Sequence, residues 1–88
     1  MPAPTAPAAF PCDYPLKLLG RRSGDFRERM LAVLAVHAGS ATLLEVSERP
    51  SRDGTYVSLT CTLRIASRVD LERIYRDLQA TGLVLYAL

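Results

Sequence analysis

The sequence predicts an α+β domain of the ferredoxin-like type, and three observations carry that prediction. Thr55–Ile65, TYVSLTCTLRI, alternates without a break: Val57, Leu59, Cys61, Leu63 and Ile65 point one way, and Tyr56, Ser58, Thr60, Thr62 and Arg64 the other. A period of two over this length makes a strand with one buried and one polar face. Its β-branched and aromatic content suits a pleated surface, and its length suits a central place in a sheet. Two further segments carry apolar residues at helical spacing, each followed by glycine. The remaining apolar runs read as strands, which gives the order β-α-β-β-α-β. Two right-handed crossovers then build one four-stranded antiparallel sheet, strand order 4-1-3-2, with both helices on one face.

The elements follow in order. Met1–Ala9 is rich in Pro and Ala, with Pro2, Pro4 and Pro7, and reads as a disordered tail; the domain spans residues 10–88. Phe10–Gly20 is the first strand region. Pro11 and Pro15 confine its start to an edge or an irregular lead-in, so the regular part is expected over Tyr14–Leu19. There Tyr14, Leu16 and Leu18 share one face and Lys17 takes the other. Gly20-Arg21-Arg22-Ser23-Gly24 reads as a turn whose glycines tolerate unusual dihedrals. Asp25 with Glu28 resembles a capping box, with Ser23 as the alternative cap. Phe26, Met30, Val33, Leu34 and His37 form the first helical stripe, and Gly39 reads as its stop.

Ala41–Arg49 is the second strand, with Leu44 and Val46 on one face and Leu43, Glu45 and Ser47 on the other; its charges suit an edge. Pro50-Ser51-Arg52-Asp53-Gly54 is a hairpin turn. Ser67 with Asp70 opens the second helix, whose stripe is Leu71, Ile74, Tyr75 and Leu78, with Gly82 as the stop. Leu83–Leu88, LVLYAL, is a short apolar last strand with a docked end.

Composition narrows the function classes. At 88 residues the chain is one domain, 49% apolar and 23% charged, with a net charge of +2. No apolar run approaches a membrane span, and the N-terminus lacks the charged and apolar regions of a secretory signal, so a cytoplasmic setting is expected. Cys12 and Cys61 have no metal-type spacing and should stay reduced there. No cofactor is expected. An enzyme is not expected either, because no paired acid and base, nucleophile or metal constellation is present. His37 reads as a capping or packing residue, and Cys61 as a small hydrophobe in the core.

Two places remain as candidate sites. Arg21, Arg22 and Ser23 precede a helix N-terminus, where free N–H groups favour an anion and guanidinium groups grip carboxylates; a solvated basic turn is the bland alternative. The open sheet face, with Lys17, Tyr56, Ser58, Thr60, Thr62 and Arg64, is the second. An RNA-recognition domain shares this topology but stacks bases on two or three sheet aromatics. Only Tyr56 is expected here, so a protein or self-association face is the stronger reading and nucleic acid the weaker.

The chain also resembles the YbeD family of small bacterial proteins, sometimes named lipoic-acid-binding regulatory proteins. The resemblance lies in Phe10-Pro11, Tyr14, Lys17 and Gly20, in His37-Ala38, in Pro50-Ser51, Gly54, Tyr56 and Ser58, and in Leu71, Tyr75 and Leu78. It implies an ACT-type regulatory fold, and ACT domains bind small molecules and commonly pair, so a homodimer is expected. It points to lipoate metabolism and brings no catalytic residues. Arg21-Arg22 departs from the family pattern, so the anion site is a reading of this chain alone. The resulting expectation is a non-catalytic regulatory or small-molecule-sensing module with a small carboxylate ligand. The alternative is an adaptor that docks a partner enzyme through the open sheet or an edge strand.

Overall fold

The computed structural model describes residues 9–22 and 24–87. The expected tail over residues 1–9, Ala9 excepted, therefore lies outside the described residues, as do Ser23 and Leu88. The elements run β1 (Cys12–Arg21), α1 (Phe26–Val36), β2 (Ala41–Pro50), β3 (Tyr56–Ile65), α2 (Arg68–Ala80) and β4 (Val84–Ala87). The four strands form one antiparallel sheet in the order β2-β3-β1-β4, the expected order read from its other edge.

The core forms where the alternating strands meet the helical stripes. Tyr14, Leu16 and Leu18 of β1 and Val57, Leu59, Cys61, Leu63 and Ile65 of β3 are buried against Phe26, Met30 and Leu34 of α1 and Leu71, Ile74 and Leu78 of α2. Each large apolar side chain taken out of water here contributes about 1.5–3 kcal/mol. Both helices therefore cover one sheet face, and the other is open.

β1 begins at Cys12, two residues earlier than the prolines suggest, and is paired with β3 along its whole length. Register explains why Pro15 is tolerated. The N–H of Arg22 donates to the Thr55 carbonyl at 2.9 Å, so even positions of β1 bond toward β3 and odd positions face the β4 side. β4 is short, and its described residues pair with β1 from Leu18 to Gly20. The nitrogen of Pro15 thus faces a stretch of edge with no partner among the described residues, where its missing N–H costs nothing in the ladder.

β2 also departs from simple alternation. Its register shifts between Leu43 and Glu45, with Leu43 opposite Leu63 and Val46 opposite Cys61. A β-bulge at Leu44 resets the phase. Leu43 and Val46 therefore share the helix side, in place of the expected Leu44 and Val46, and Leu43 and Leu44 are both exposed.

The helix ends are unequal. Ser67 caps α2 as expected: its Oγ accepts from the Asp70 N–H at 3.2 Å and donates to the Asp70 carboxylate at 2.8 Å. Asp25 stands at the N-cap of α1 but makes no capping bond; its carboxylate lies 3.8 Å from the Arg29 guanidinium instead. Gly82, at φ +72, supplies the left-handed stop of α2. Gly39 is not left-handed. There α1 closes through short turns, with the His37 N–H on the Leu34 carbonyl and the Ala41 N–H on the His37 carbonyl. His37 Nε2 also reaches Asp77 Oδ2 at 2.7 Å and ties the C-terminal ends of the helices together.

Tyr75 is half-buried on α2, and its hydroxyl finds no hydrogen-bond partner among the described residues. Burial, with the nearby Tyr14 and Tyr86 phenols, pushes its pKa up to about 12. A buried hydroxyl without a partner carries a desolvation cost that an apolar isostere avoids. Tyr75→Phe is therefore expected to leave stability unchanged or raise it by up to about 1 kcal/mol. A denaturant midpoint that falls would show that the hydroxyl does find a bond.

Candidate functional site

The end of β1 decides where the arginine pair goes. The strand continues to Arg21, so Arg21 and Arg22 follow its alternation instead of sharing a turn. Arg21 stands opposite Tyr56 on the open-face phase of the sheet and borders a small cleft of about 170 Å³ at the end of the sheet with Phe26, Gly82, Leu83 and Leu85. Arg22 takes the helix side. Its guanidinium lies over the hairpin at Gly54, where an added Cβ would stand 3.3 Å from Nη1. The backbone of that hairpin is set by Gly54, at φ +77, and by Asp53, which accepts from Ser51 Oγ at 2.9 Å and from the Thr55 N–H at 3.0 Å. These bonds hold the Asp53 carboxyl below its ordinary pKa.

Arg22 opens onto a cleft of about 340 Å³ between the hairpin and the start of α1, lined also by Gly24, Phe26, Arg27, Glu28, Glu48 and Val57. Phe26 and Val57 are buried and supply an apolar floor. Glu48 faces this side of the sheet because of the bulge in β2, and it pairs with Arg27 at 3.5 Å. Arg22 has no carboxylate partner among the described residues. The first-turn N–H groups of α1 border the same cleft and lack intrahelical partners. The arrangement offers one free guanidinium and a helix start to an anion, with apolar surface beside them. Ser23, the third residue expected here, lies outside the described residues.

The open face gathers Lys17, Tyr56, Ser58, Thr60, Thr62 and Arg64. Its two ends differ. At one end Arg64 donates to Asp13 through Nε at 2.9 Å and Nη2 at 3.3 Å, which holds the Asp13 carboxyl below its ordinary pKa. At the hairpin end, Lys17 is opposite Thr60, Arg21 opposite Tyr56 and Arg49 opposite Ser58, and none of these three cations has an ion-pair partner among the described residues. β4 adds a side chain that the sequence reading missed. Leu19 pairs with Tyr86, so Tyr86 takes an open-face position at the edge of the sheet and is 42% exposed; Tyr56, two strands away, is 37% exposed. The expectation of a single aromatic on the face is corrected to two. Val84–Ala87 reads as a plain apolar strand, and only the register separates Tyr86 from the buried Ala87.

Cys61 is buried and Cys12 half-buried, and both are free. Among the described residues, no group of three or more His, Cys, Asp or Glu is placed to hold a metal ion, and no helix is long and apolar enough to cross a membrane.

Residues 6–88 match the model of a family described as a protein of unknown function, DUF493. A UPF0250 protein of Nitrosomonas europaea is 35% identical over 78% of this chain and 79% of its own length. A UPF0250 protein of Paraburkholderia phytofirmans is 37% identical over 85% and 84%. Among solved structures, protein HP0495 of H. pylori superposes with a TM-score of 0.73 at 14% identity, covering 100% of this chain and 94% of that one. The C-terminal domain of the MgtC protein of Mycobacterium tuberculosis superposes with a TM-score of 0.70 at 19% identity, covering 86% and 82%. At these identities the structural matches carry the fold alone. The sequence matches bear out the resemblance to the YbeD family of small bacterial proteins.

Proposed function

We propose that this chain, which belongs to the DUF493 (UPF0250) family, is a non-catalytic module that senses a small carboxylate through the Arg22 cleft. The observation that supports this most directly is the unpaired guanidinium of Arg22 beside a cleft of about 340 Å³ floored by Phe26 and Val57. A carboxylate with a short apolar tail satisfies both halves: the head takes the guanidinium and the free N–H groups of α1, and the tail lies on the apolar floor. Arg27 is engaged by Glu48, so Arg22 is the cation left unpaired among the described residues of this cleft, with Glu28 the remaining acid on its lining, and Arg21, on the open-face phase of the sheet, takes no part. Lipoate and octanoate are first among the candidates because of the lipoate metabolism linked to the family resemblance. The reading places the protein in the cytoplasm, with both thiols reduced.

The test is thermal unfolding against lipoate, octanoate and amino acids, with wild type and Arg22→Ala in parallel. A ligand at about 100 times its dissociation constant adds about 2.7 kcal/mol, which raises Tm by roughly 10 °C or more in a domain of this size. The expected result is a shift with one carboxylate that Arg22→Ala abolishes and Arg21→Ala leaves intact. A flat panel, or a shift indifferent to Arg22, sinks the reading.

A second reading, self-pairing or adaptor docking at the sheet edge, is supported by β2. Nine of its ten residues pair with β3, and its other edge has no partner strand among the described residues; exposed Leu43 borders an apolar cleft of about 230 Å³ with Leu31, Leu34 and Ala38. An unpaired edge beside apolar surface is a template for another strand.

A further inference from the structure

We infer that the hairpin end of the open sheet face binds single-stranded nucleic acid, with Tyr56 and Tyr86 as stacking platforms and Lys17, Arg21 and Arg49 as phosphate contacts. This site is independent of the Arg22 cleft, because it lies on the opposite face of the sheet.

The charge pattern carries the first part. From Thr60 to Tyr56 and across the neighbouring strands, the open-face positions are Lys17, Leu19 and Arg21 on β1, Ser58 on β3, Ser47 and Arg49 on β2, and Tyr86 on β4. Three are cationic and none is acidic. The acids of this face are displaced toward the other end: Asp13 is held by Arg64, and Glu45 stands opposite Thr62. Asp53, in the adjoining hairpin, is taken up by Ser51 and Thr55. Three cations with no ion-pair partner among the described residues, at neighbouring positions none of which is acidic, complement a polyanion.

The aromatics select which polyanion. Tyr56 and Tyr86 are the aromatic members of the exposed large hydrophobic residues, and their positions flank Arg21 and Leu19. In register they are two strands and two residues apart, which places their Cα atoms about 12 Å from each other. Each base of a strand laid across the sheet has a face to stack on a ring, and this spacing leaves room for a nucleotide or two between them. An acidic polypeptide would meet the same cations but has no use for two exposed rings. A duplex holds its bases inside the stack and could not reach them.

The experiment is fluorescence anisotropy with a labelled ten-nucleotide oligouridine at 25–200 mM KCl. Binding is expected at low salt, with log K falling against log salt at a slope of about −2, the value for three neutralised phosphates on a single strand. Tyr56→Ala and Tyr86→Ala should each weaken binding about fivefold or more, while Tyr56→Phe and Tyr86→Phe, which keep the rings, should retain it. Lys17→Ala should lower the slope by about 0.7. Thr62→Ala, on the same face beside Glu45, should change nothing. All these positions are partly or fully exposed, and circular dichroism verifies each fold. No binding at 25 mM KCl overturns the inference, as does binding indifferent to both alanine variants. Equal affinity for polyglutamate also overturns it, because the partner would then be an acidic protein.

Discussion

Gly20→Ala is expected to destabilise the domain by about 1–3 kcal/mol, and Gly20→Val to prevent folding. The cause is space. Gly20 lies on the core side of β1, and a Cβ there would run into the ring of Phe26, at Cε1, Cζ and Cδ1. The ring cannot retreat, because Phe26 is 2% exposed and opens α1 against the sheet. Nor can the strand, which is pinned by the Gly20–Val57 and Gly20–Val84 pairings. The added methyl must shift one of these contacts, and close-packed interiors give way only at a cost. For a domain of this size the loss lowers Tm by roughly 5–20 °C. The partner variant separates this mechanism from a general weakening of the strand. Phe26→Ala alone should cost about 3–5 kcal/mol through the cavity it leaves. Gly20→Ala combined with Phe26→Leu should be less damaging than the sum of the single changes, since the smaller side chain makes room for the methyl. Strict additivity in chemical denaturation would refute the contact as the cause.

Gly20 also illustrates what the sequence made legible and what it left hidden. Its place at the end of an apolar run reads as a turn glycine, yet its φ is not left-handed; it is needed because another element lies on top of it. That requirement belongs to the packing of α1 on β1, and no local pattern encodes it. The fold itself was legible because β3 alternates over its full length and each helix carries a repeating stripe, signals that survive an error of a residue or two. The sites were harder because they depend on phase. One extra residue at Leu44 turns Glu48 toward the Arg22 cleft, and the shift between Leu19 and Gly20 leaves Tyr86 on the open face. Bulges of this kind reset alternation without a residue type that announces them. Arg21 and Arg22 were separated for the same reason: carrying the strand one residue further sends neighbours to opposite faces.

The two cysteines should differ in reactivity by a factor on the order of 10³ or more at neutral pH. Cys12 is half-buried at the start of β1, at the rim of the core, and is therefore expected to meet a thiol reagent in the native state. Cys61 has no exposed surface and sits at the centre of β3 opposite Leu16 and Val46. It is reached only when the sheet opens, and core strands open at a free energy close to that of global unfolding. A stability of about 5 kcal/mol, the low end for native proteins, already gives that ratio. Burial acts on the chemistry as well, since it pushes the Cys61 thiol from 9.0 up to about 11. The folded protein therefore holds this proton where the unfolded chain releases it. The stabilisation is complete below pH 9 and is lost as pH rises toward about 11, with Tyr75, pushed up to about 12, extending the decline. Labelling of wild type with a coloured disulfide reagent should show one fast thiol at pH 7, lost in Cys12→Ser, and one slow thiol whose rate follows denaturant concentration like unfolding. The denaturation midpoint should fall between pH 9 and 11, and Cys61→Ala should flatten the first part of that fall. Two thiols labelled at similar rates in the native state would mean that β3 does not hold the centre of this sheet.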